Sequence, residues 1–317
     1  MFCRTALLAA WLAAATACSA ADQARALDVR ILSTMLADEG FGEWGFAALV
    51  VADGHRILFD TGAHPDTVLR NARELHIDLS DVPDVILSHH HLDHTAGLLT
   101  LRREYSKSNP AALSRAHVGE GIFLSRTAAG EPEANHMIAA RREYEATGGK
   151  LIVYDGPREV FPGVWLTGPV PRKYPERNWN TSEMLRLADG KTVEDNLPED
   201  QSLIVVTAKG LVVISGCGHA GIVNTLEYAR TRIAPLPIYA ALGGFHLYNA
   251  SDETLAWTAS KLKDFGLQNL LGAHCTGIEA VYRLRQLTGL ARATAAVGAV
   301  GGGFSLATGL DPGSIAR

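Results

Sequence analysis

The stretch Ser88-His89-His90-His91-Leu92-Asp93-His94-Thr95-Ala96-Gly97 follows directly on the apolar run Val85-Ile86-Leu87. The run reads as a buried strand, and four imidazoles and one carboxylate fall within the six residues after Ser88. Side chains alternate along extended chain, so His89 and His91 can point to one side while His90 points away from both. Asp93 and His94 follow where the chain turns, able to face a second, adjacent point. Neutral imidazole nitrogens together with a hard oxygen suit borderline-soft divalent metals. The spacing His-x-His-x-Asp-His therefore predicts two neighbouring metal positions. A histidine-rich surface turn is the plain alternative, but clustering beside an acid at the end of a buried strand argues against it. His90 is read as structural.

The rest of the chain sets broad limits. Its 317 residues are 47% hydrophobic and 20% charged, ample material for a globular core. A net charge of −5 and the lack of any lysine/arginine tract disfavour nucleic acid as a partner. After residue 20 no run approaches the ~18 continuous apolar residues that span a bilayer. Residues 1–20 differ: Arg4 precedes the apolar run Ala6–Ala17, then Cys18-Ser19-Ala20. That length and polarity fit a secretory signal, which stands outside the fold. Ala15-Thr16-Ala17-Cys18 also resembles a bacterial lipobox, which would leave Cys18 lipidated; ordinary cleavage near Ala20 or Ala21 is the alternative. The expected product is exported, either periplasmic or held at a membrane surface by that lipid alone. With Cys3 and Cys18 set aside, Cys217 and Cys275 remain, each beside a histidine in a glycine-bearing segment. A disulfide, metal ligation and simple burial all stay open for them.

Along residues 27–317 short apolar runs alternate with helical patterns. Val29–Leu32, Ala47–Val51, Ile57–Phe59, Val85–Leu87, Leu151–Tyr154 and Val164–Thr167 read as strands. Ser202–Thr207 and Leu211–Ser215, joined at Lys209-Gly210, read as a hairpin. Ile238–Leu242 is a further strand, and the glycine-rich tail Ala295–Leu306 could supply a closing one. Thr67–Leu75, Leu98–Arg103, Ile222–Arg232 and Ile278–Leu287 read as helices. Another is capped at Ser251 or Asp252, with Leu255, Ala259, Leu262 and Phe265 at helical spacing and Gly266 ending it. Residues 106–149 read as strand pieces mixed with a surface insertion, and 171–198 as a long loop or lid. Strands followed by helices, with some hairpins, indicate a layered α/β fold of two mixed sheets covered by helices. No linker stands out, so 27–317 is read as one domain.

His89-x-His91-x-Asp93-His94, preceded by Phe59-Asp60-Thr61-Gly62, resembles the metallo-β-lactamase superfamily. The resemblance implies a four-layer αββα sandwich with metals at the sheet edges. Glu199-Asp200-Gln201-Ser202-Leu203, the run Leu211–Asn224 through Gly216-Cys217-Gly218-His219, Gly243-Gly244-Phe245-His246-Leu247 and His274-Cys275-Thr276-Gly277 narrow it. These look like the branch named for a dihydropterin ribofuranosyl-aminobenzene phosphate synthase, over roughly Val29 to Leu287. The resemblance implies that His89 and His91 bind a first metal and Asp93 and His94 a second. His274 corresponds to the late histidine that completes the second site. The superfamily's mid-chain histidine would fall near Leu166-Thr167-Gly168-Pro169, where none occurs; His219 takes its place. Cys217 stands near the position of the usual bridging aspartate, and His246 is a further candidate ligand or substrate contact. His219, His246 and His274 each follow an apolar strand beside glycine, where backbone and metal can approach closely. Asp60 is expected to orient a histidine ligand more than to bind metal itself. Trp44 stands where the branch carries a histidine, a departure that argues against a shared substrate.

The resulting expectation is a metal-dependent hydrolase acting on a small molecule through an ester, phosphoester or related bond. Two divalent ions, zinc first with iron or manganese as alternatives, would lower the pKa of a shared water from about 15.7 towards 7. Hydroxide would then attack a polarised acyl or phosphoryl centre, with Asp93 helping to hold or deprotonate it. No serine or cysteine nucleophile is needed. The rival readings are a pterin-type transferase like the branch, against which the secretion signal speaks, and a lipid-anchored, non-catalytic metal-binding module. An oxidative role with iron is a minor further option, weakened by the lack of a glutamate in the histidine cluster.

Overall fold

The computed structural model describes residues 22–126, 132–187 and 189–316. The signal segment 1–20 and Cys18 lie outside these described residues.

Strand Ser202–Thr207 shows why the chain builds layers. All six of its residues are buried, yet they belong to two different cores. Leu203 and Val205 face one cluster with Val212, Ile214, Ile57, Phe59 and Ile86. Ile204 and Val206 face another with Val213, Leu226, Leu255 and Leu262. The period-2 alternation thus serves a strand buried on both faces, which reads as one continuous apolar run. Strands His55–Phe59 and Asp84–Leu87 behave alike: Leu58, Val85 and Leu87 turn outward to Val68, Ala72, Leu98 and Tyr144. Three cores separate four layers: helices, sheet, sheet, helices. Burying a Leu, Ile or Val side chain fully contributes roughly 1.5–3 kcal/mol, so most of the stability resides in these alternating runs.

Both sheets are mixed. The first has eight strands, with Leu27–Ser33 and Ala47–Ala52 near its middle and Lys150–Tyr154 at one edge. His55–Phe59, Asp84–Leu87 and Arg115–Gly119 run parallel to one another. The second has seven, in which the hairpin Ser202–Thr207 with Gly210–Ser215 continues into parallel Ile238–Gly243 and Asn269–Gly272. The glycine-rich tail closes both sheets: Ala295–Val297 pairs with Asn269–Gly272, and Gly303–Ser305 pairs with Leu27–Ser33. Ligands of open α/β sheets sit at the carboxyl ends of parallel strands. Here such ends from both sheets carry Asp60, the 88–94 stretch, Cys217 to His219, His246 and His274.

Two expected segments differ from their reading. Residues 106–149 contain strand Arg115–Gly119, but also the helix Met137–Ala146. That helix buries only Met137 and Tyr144, so its pattern is polar and its amphipathic period is faint. Residues 171–198 are mostly irregular, yet hold a small antiparallel pair, Met184–Arg186 with Thr192–Glu194.

Candidate metal centre

The site starts where strand Asp84–Leu87 ends. His89 and His91 turn to one side with ring centroids 4.6 Å apart, and the turn Leu92–Thr95 carries Asp93 and His94. Donor atoms of His89, His91 and Asp93 lie within 4.8 Å of one another. His89, Cys217 and His219 form a second such group, and Asp93, His94, Cys217 and His274 a third. His219 and His274, remote in sequence, therefore join the early cluster. Cys217 is shared by both late groups, its sulfur 3.3 Å from His94 Nε2 and 3.4 Å from His274 Nε2. His246 stands apart from the other histidines in this respect, grouping with Cys217 and Cys275.

Three of the imidazoles, His89, His94 and His219, are aimed by a neighbour. Ser88 Oγ lies 2.9 Å from His89 Nδ1, leaving Nε2 to face the cluster. Asp60 Oδ2 accepts from His94 Nδ1 at 2.8 Å. Asp60 also accepts from the Ser88 backbone at 2.7 Å and the Ser88 hydroxyl at 2.8 Å. Its carboxylate is spent on orientation and is absent from the donor groups, so the orienting role is the one its contacts support. His219 Nδ1 is bonded to the Asn178 carbonyl. The 171–198 segment can do this because Glu176 accepts from the backbone of Val223 and Asn224, anchoring it on helix Ile222–Arg232. Cys217 and Cys275 are both free and buried, their sulfurs 3.1 Å apart; the disulfide alternative is not the arrangement adopted.

The electrostatics divide the cluster in two. Burial, reinforced by surrounding imidazoles, pushes His89 and His219 well below the usual histidine range and His91 down to about 3. These three are neutral, with lone pairs free for a metal. Burial also disfavours a charge on His274, but Cys275 and Asp93 outweigh it and push that histidine up to about 10. Burial likewise opposes ionised Asp93, yet His94 and His274 hold it well below the carboxylate range. The Asp93–His274 side of the cluster thus favours positive charge. Nε2 of His89 and of His219 are buried with no hydrogen-bond partner in the protein. Buried lone pairs without a donor are costly, and a cation shared with Cys217 satisfies both. The donor set fits a divalent metal. Among the described residues these groups sit side by side and share Cys217, Asp93 and His89.

His90 stands off from His89, ring centroids 6.4 Å apart, but packs 4.6 Å from His91. Alternation thus separates it from only one of its neighbours, and its partners were missed from sequence. Its Nδ1 meets Glu199 at 2.8 Å, and Glu199 meets Arg126 Nη2 at 2.8 Å, all three buried. This ion chain ties the histidine stretch to the segment before strand Ser202–Thr207. Ser88 and the Asn178 carbonyl were missed too. No local pattern marks them, since their roles exist only once the loops converge.

Comparison with known proteins gives the following. The model of the metallo-beta-lactamase superfamily matches residues 45–234. A 7,8-dihydropterin-6-methyl-4-(beta-D-ribofuranosyl)-aminobenzene-5'-phosphate synthase of Methanocaldococcus jannaschii is 34% identical over 233 residues, covering 71% of this chain and 76% of that protein. A crystal structure described as a metal-dependent hydrolase of the beta-lactamase superfamily superposes with a TM-score of 0.66 at 30% identity, covering 83% of this chain and 93% of that one. The metallo-beta-lactamase fold protein YhfI from Bacillus subtilis, at 12% identity and a TM-score of 0.55, shares the fold over 88% of this chain and 99% of its own.

Proposed function

Since the chain belongs to the metallo-beta-lactamase superfamily, we propose that it is a metal-dependent hydrolase cleaving an ester, phosphoester or related bond of a small molecule. The observation that carries this reading is the meeting of His89, His91, Asp93, His94, Cys217, His219 and His274 in overlapping donor groups. His89, His91 and His219 would hold one ion, and Asp93, His94 and His274 a second, with Cys217 between them. Such a pair, with zinc the first choice for imidazole and thiolate donors, supplies an acidified water and a Lewis acid for the oxygen under attack.

The chain's own residues do the rest. Neutral His89, His91 and His219 bind without first losing a proton near neutral pH. Ser88, Asp60 and the Asn178 carbonyl fix the His89, His94 and His219 rings through their Nδ1 atoms, as neighbours of metal ligands do. Asp93 is the open member, its side chain 24% exposed. Its low proton affinity makes it an acceptor that orients an incoming water by hydrogen bonding, a task distinct from taking the proton outright. Buried Cys217 contributes a soft donor at the centre.

The test is a panel of ester, lactone, lactam and phosphodiester substrates, run on protein stripped with chelator and reloaded with zinc, manganese or iron. Hydrolysis that disappears on stripping and returns with one metal supports the reading. Stoichiometric metal uptake with no turnover across the panel would favour the non-catalytic module. A second reading, synthase-like transfer onto a pterin, is supported by the Methanocaldococcus jannaschii relative, and turnover of a dihydropterin would establish it. Export, with or without a lipid on Cys18, belongs to the same proposal. It rests on residues 1–20, and the mass of the mature N-terminus tests it.

A further inference from the structure

We propose that Trp44 and Tyr248 form an aromatic wall at the mouth of the donor cluster and select a substrate carrying an apolar ring beside the bond that is cleaved. The inference rests on the hydrolase reading above and names its substrate class. Trp44 and Tyr248 are 47% and 50% exposed. Their rings meet edge to face, centroids 5.4 Å apart. Trp44 packs 5.0 Å from the His274 ring, and Tyr248 lies 5.4 Å from that of His246. Two half-exposed aromatics thus stand against His246 and against His274, whose Nε2 lies 3.3 Å from the Asp93 carboxylate.

The pair is held rigidly, which an incidental surface aromatic would not require. The residue before Trp44, Glu43, accepts from Ser33 Oγ at 2.6 Å and from the backbone of Ala63 and His64 at 2.9 and 3.0 Å. Two residues after Trp44, Phe46 donates its backbone N–H to the Asp93 carbonyl at 3.1 Å. Gly45 between them approaches Ala63 and Asp93 so closely that a Cβ would collide with both. The loop holding Trp44 is therefore pinned to the metal-binding turn itself. Tyr248 is fixed through its backbone N–H to the Cys275 carbonyl at 3.1 Å. Gly277, with φ of +81°, lets the chain pass against the Tyr248 Cα.

Rigid, half-exposed rings bind flat apolar groups at little cost in conformational entropy. The neighbours of Tyr248 open onto space for the rest of a ligand. His246, Leu247 and Asn249 line a cavity of about 630 Å³ between the Glu176–Asn178 segment and the start of helix Asp252–Asp264. A small polar substrate would leave this surface unused.

The test compares phenylphosphonate with methylphosphonate by calorimetry on the zinc-loaded full chain. Both present the same oxyanion, so the ratio of their affinities reads the ring alone. Phenylphosphonate should bind roughly tenfold tighter or better, an aromatic contact plus burial of a ring. In Trp44→Ala that ratio should fall towards one, and in Trp44→Phe most of it should persist. Metal content, measured alongside, separates a lost wall from a lost centre. Equal affinities in the unaltered protein, or an unchanged ratio in Trp44→Ala, overturn the wall while leaving the hydrolase reading intact. If neither phosphonate binds the zinc-loaded protein, the wall is overturned, and the metal-dependent substrate panel decides the hydrolase reading separately.

Discussion

The Asp60 carboxylate stands 2.8 Å from His94 Nδ1, with both side chains fully buried. It accepts there and so fixes the proton on Nδ1, turning Nε2 towards Cys217 and Asp93. The same carboxylate reaches Ser88, whose hydroxyl lies against His89. One acid thus orders a histidine on each side of the cluster.

Asp60→Asn removes that acceptor with little change of volume. Replacing such an orienting partner typically weakens metal binding by about 10–100-fold. Competition against a chromophoric chelator should show a loss in this range, with the thermal unfolding of the stripped protein altered far less. Unchanged affinity would remove Asp60 from the site.

Gly216, just past strand Gly210–Ser215 of the second sheet, packs directly against Ser88 and Asp60. A Cβ there would strike Ser88 Oγ and Asp60 Oδ2. Gly216→Ala should therefore cost about 1–3 kcal/mol of stability, as overpacking does, and lower metal content at the same time. Denaturant midpoints and metal analysis on one preparation check both.

Much of this was legible in the residues, for identifiable reasons. Ser202–Thr207 and Gly210–Ser215 stood out because strands buried on both faces are apolar throughout. The 88–94 stretch stood out because its donors are contiguous. Helix Met137–Ala146 was hidden, since an outer helix that buries two side chains has little period to read. The family resemblance aligned His219 and His274 with the early cluster and put Cys217 near the bridging position, but its sharing between their two groups shows only when the ends of separate strands are brought together. The His90–Glu199–Arg126 chain was invisible for the same reason: residues 109 positions apart carry no local sign of pairing.

That ion chain has a pH consequence. Burial opposes the Glu199 charge, but His90 and Arg126 outweigh it and pull the carboxyl down to about 2. A folded pKa below the unfolded one gives stability that is complete above the unfolded value, near 4.5, and lost as pH falls through 4.5 towards 2. The loss amounts to a few kcal/mol. Denaturant unfolding between pH 6 and pH 2.5 should show this slope in the unaltered protein and a shallower one in Glu199→Gln. Equal slopes would mean that the pair carries no linkage.

The central claim is that seven donors from four strand ends and turns grip a pair of divalent ions. Zinc stoichiometry of the full chain, measured by mass spectrometry after loading and desalting, tests it most directly in parallel with His91→Ala, His219→Ala and His274→Ala. Two equivalents in the unaltered protein, with each variant losing at least one, is the predicted result. Two equivalents retained in all three variants, or none in the loaded protein, would contradict it.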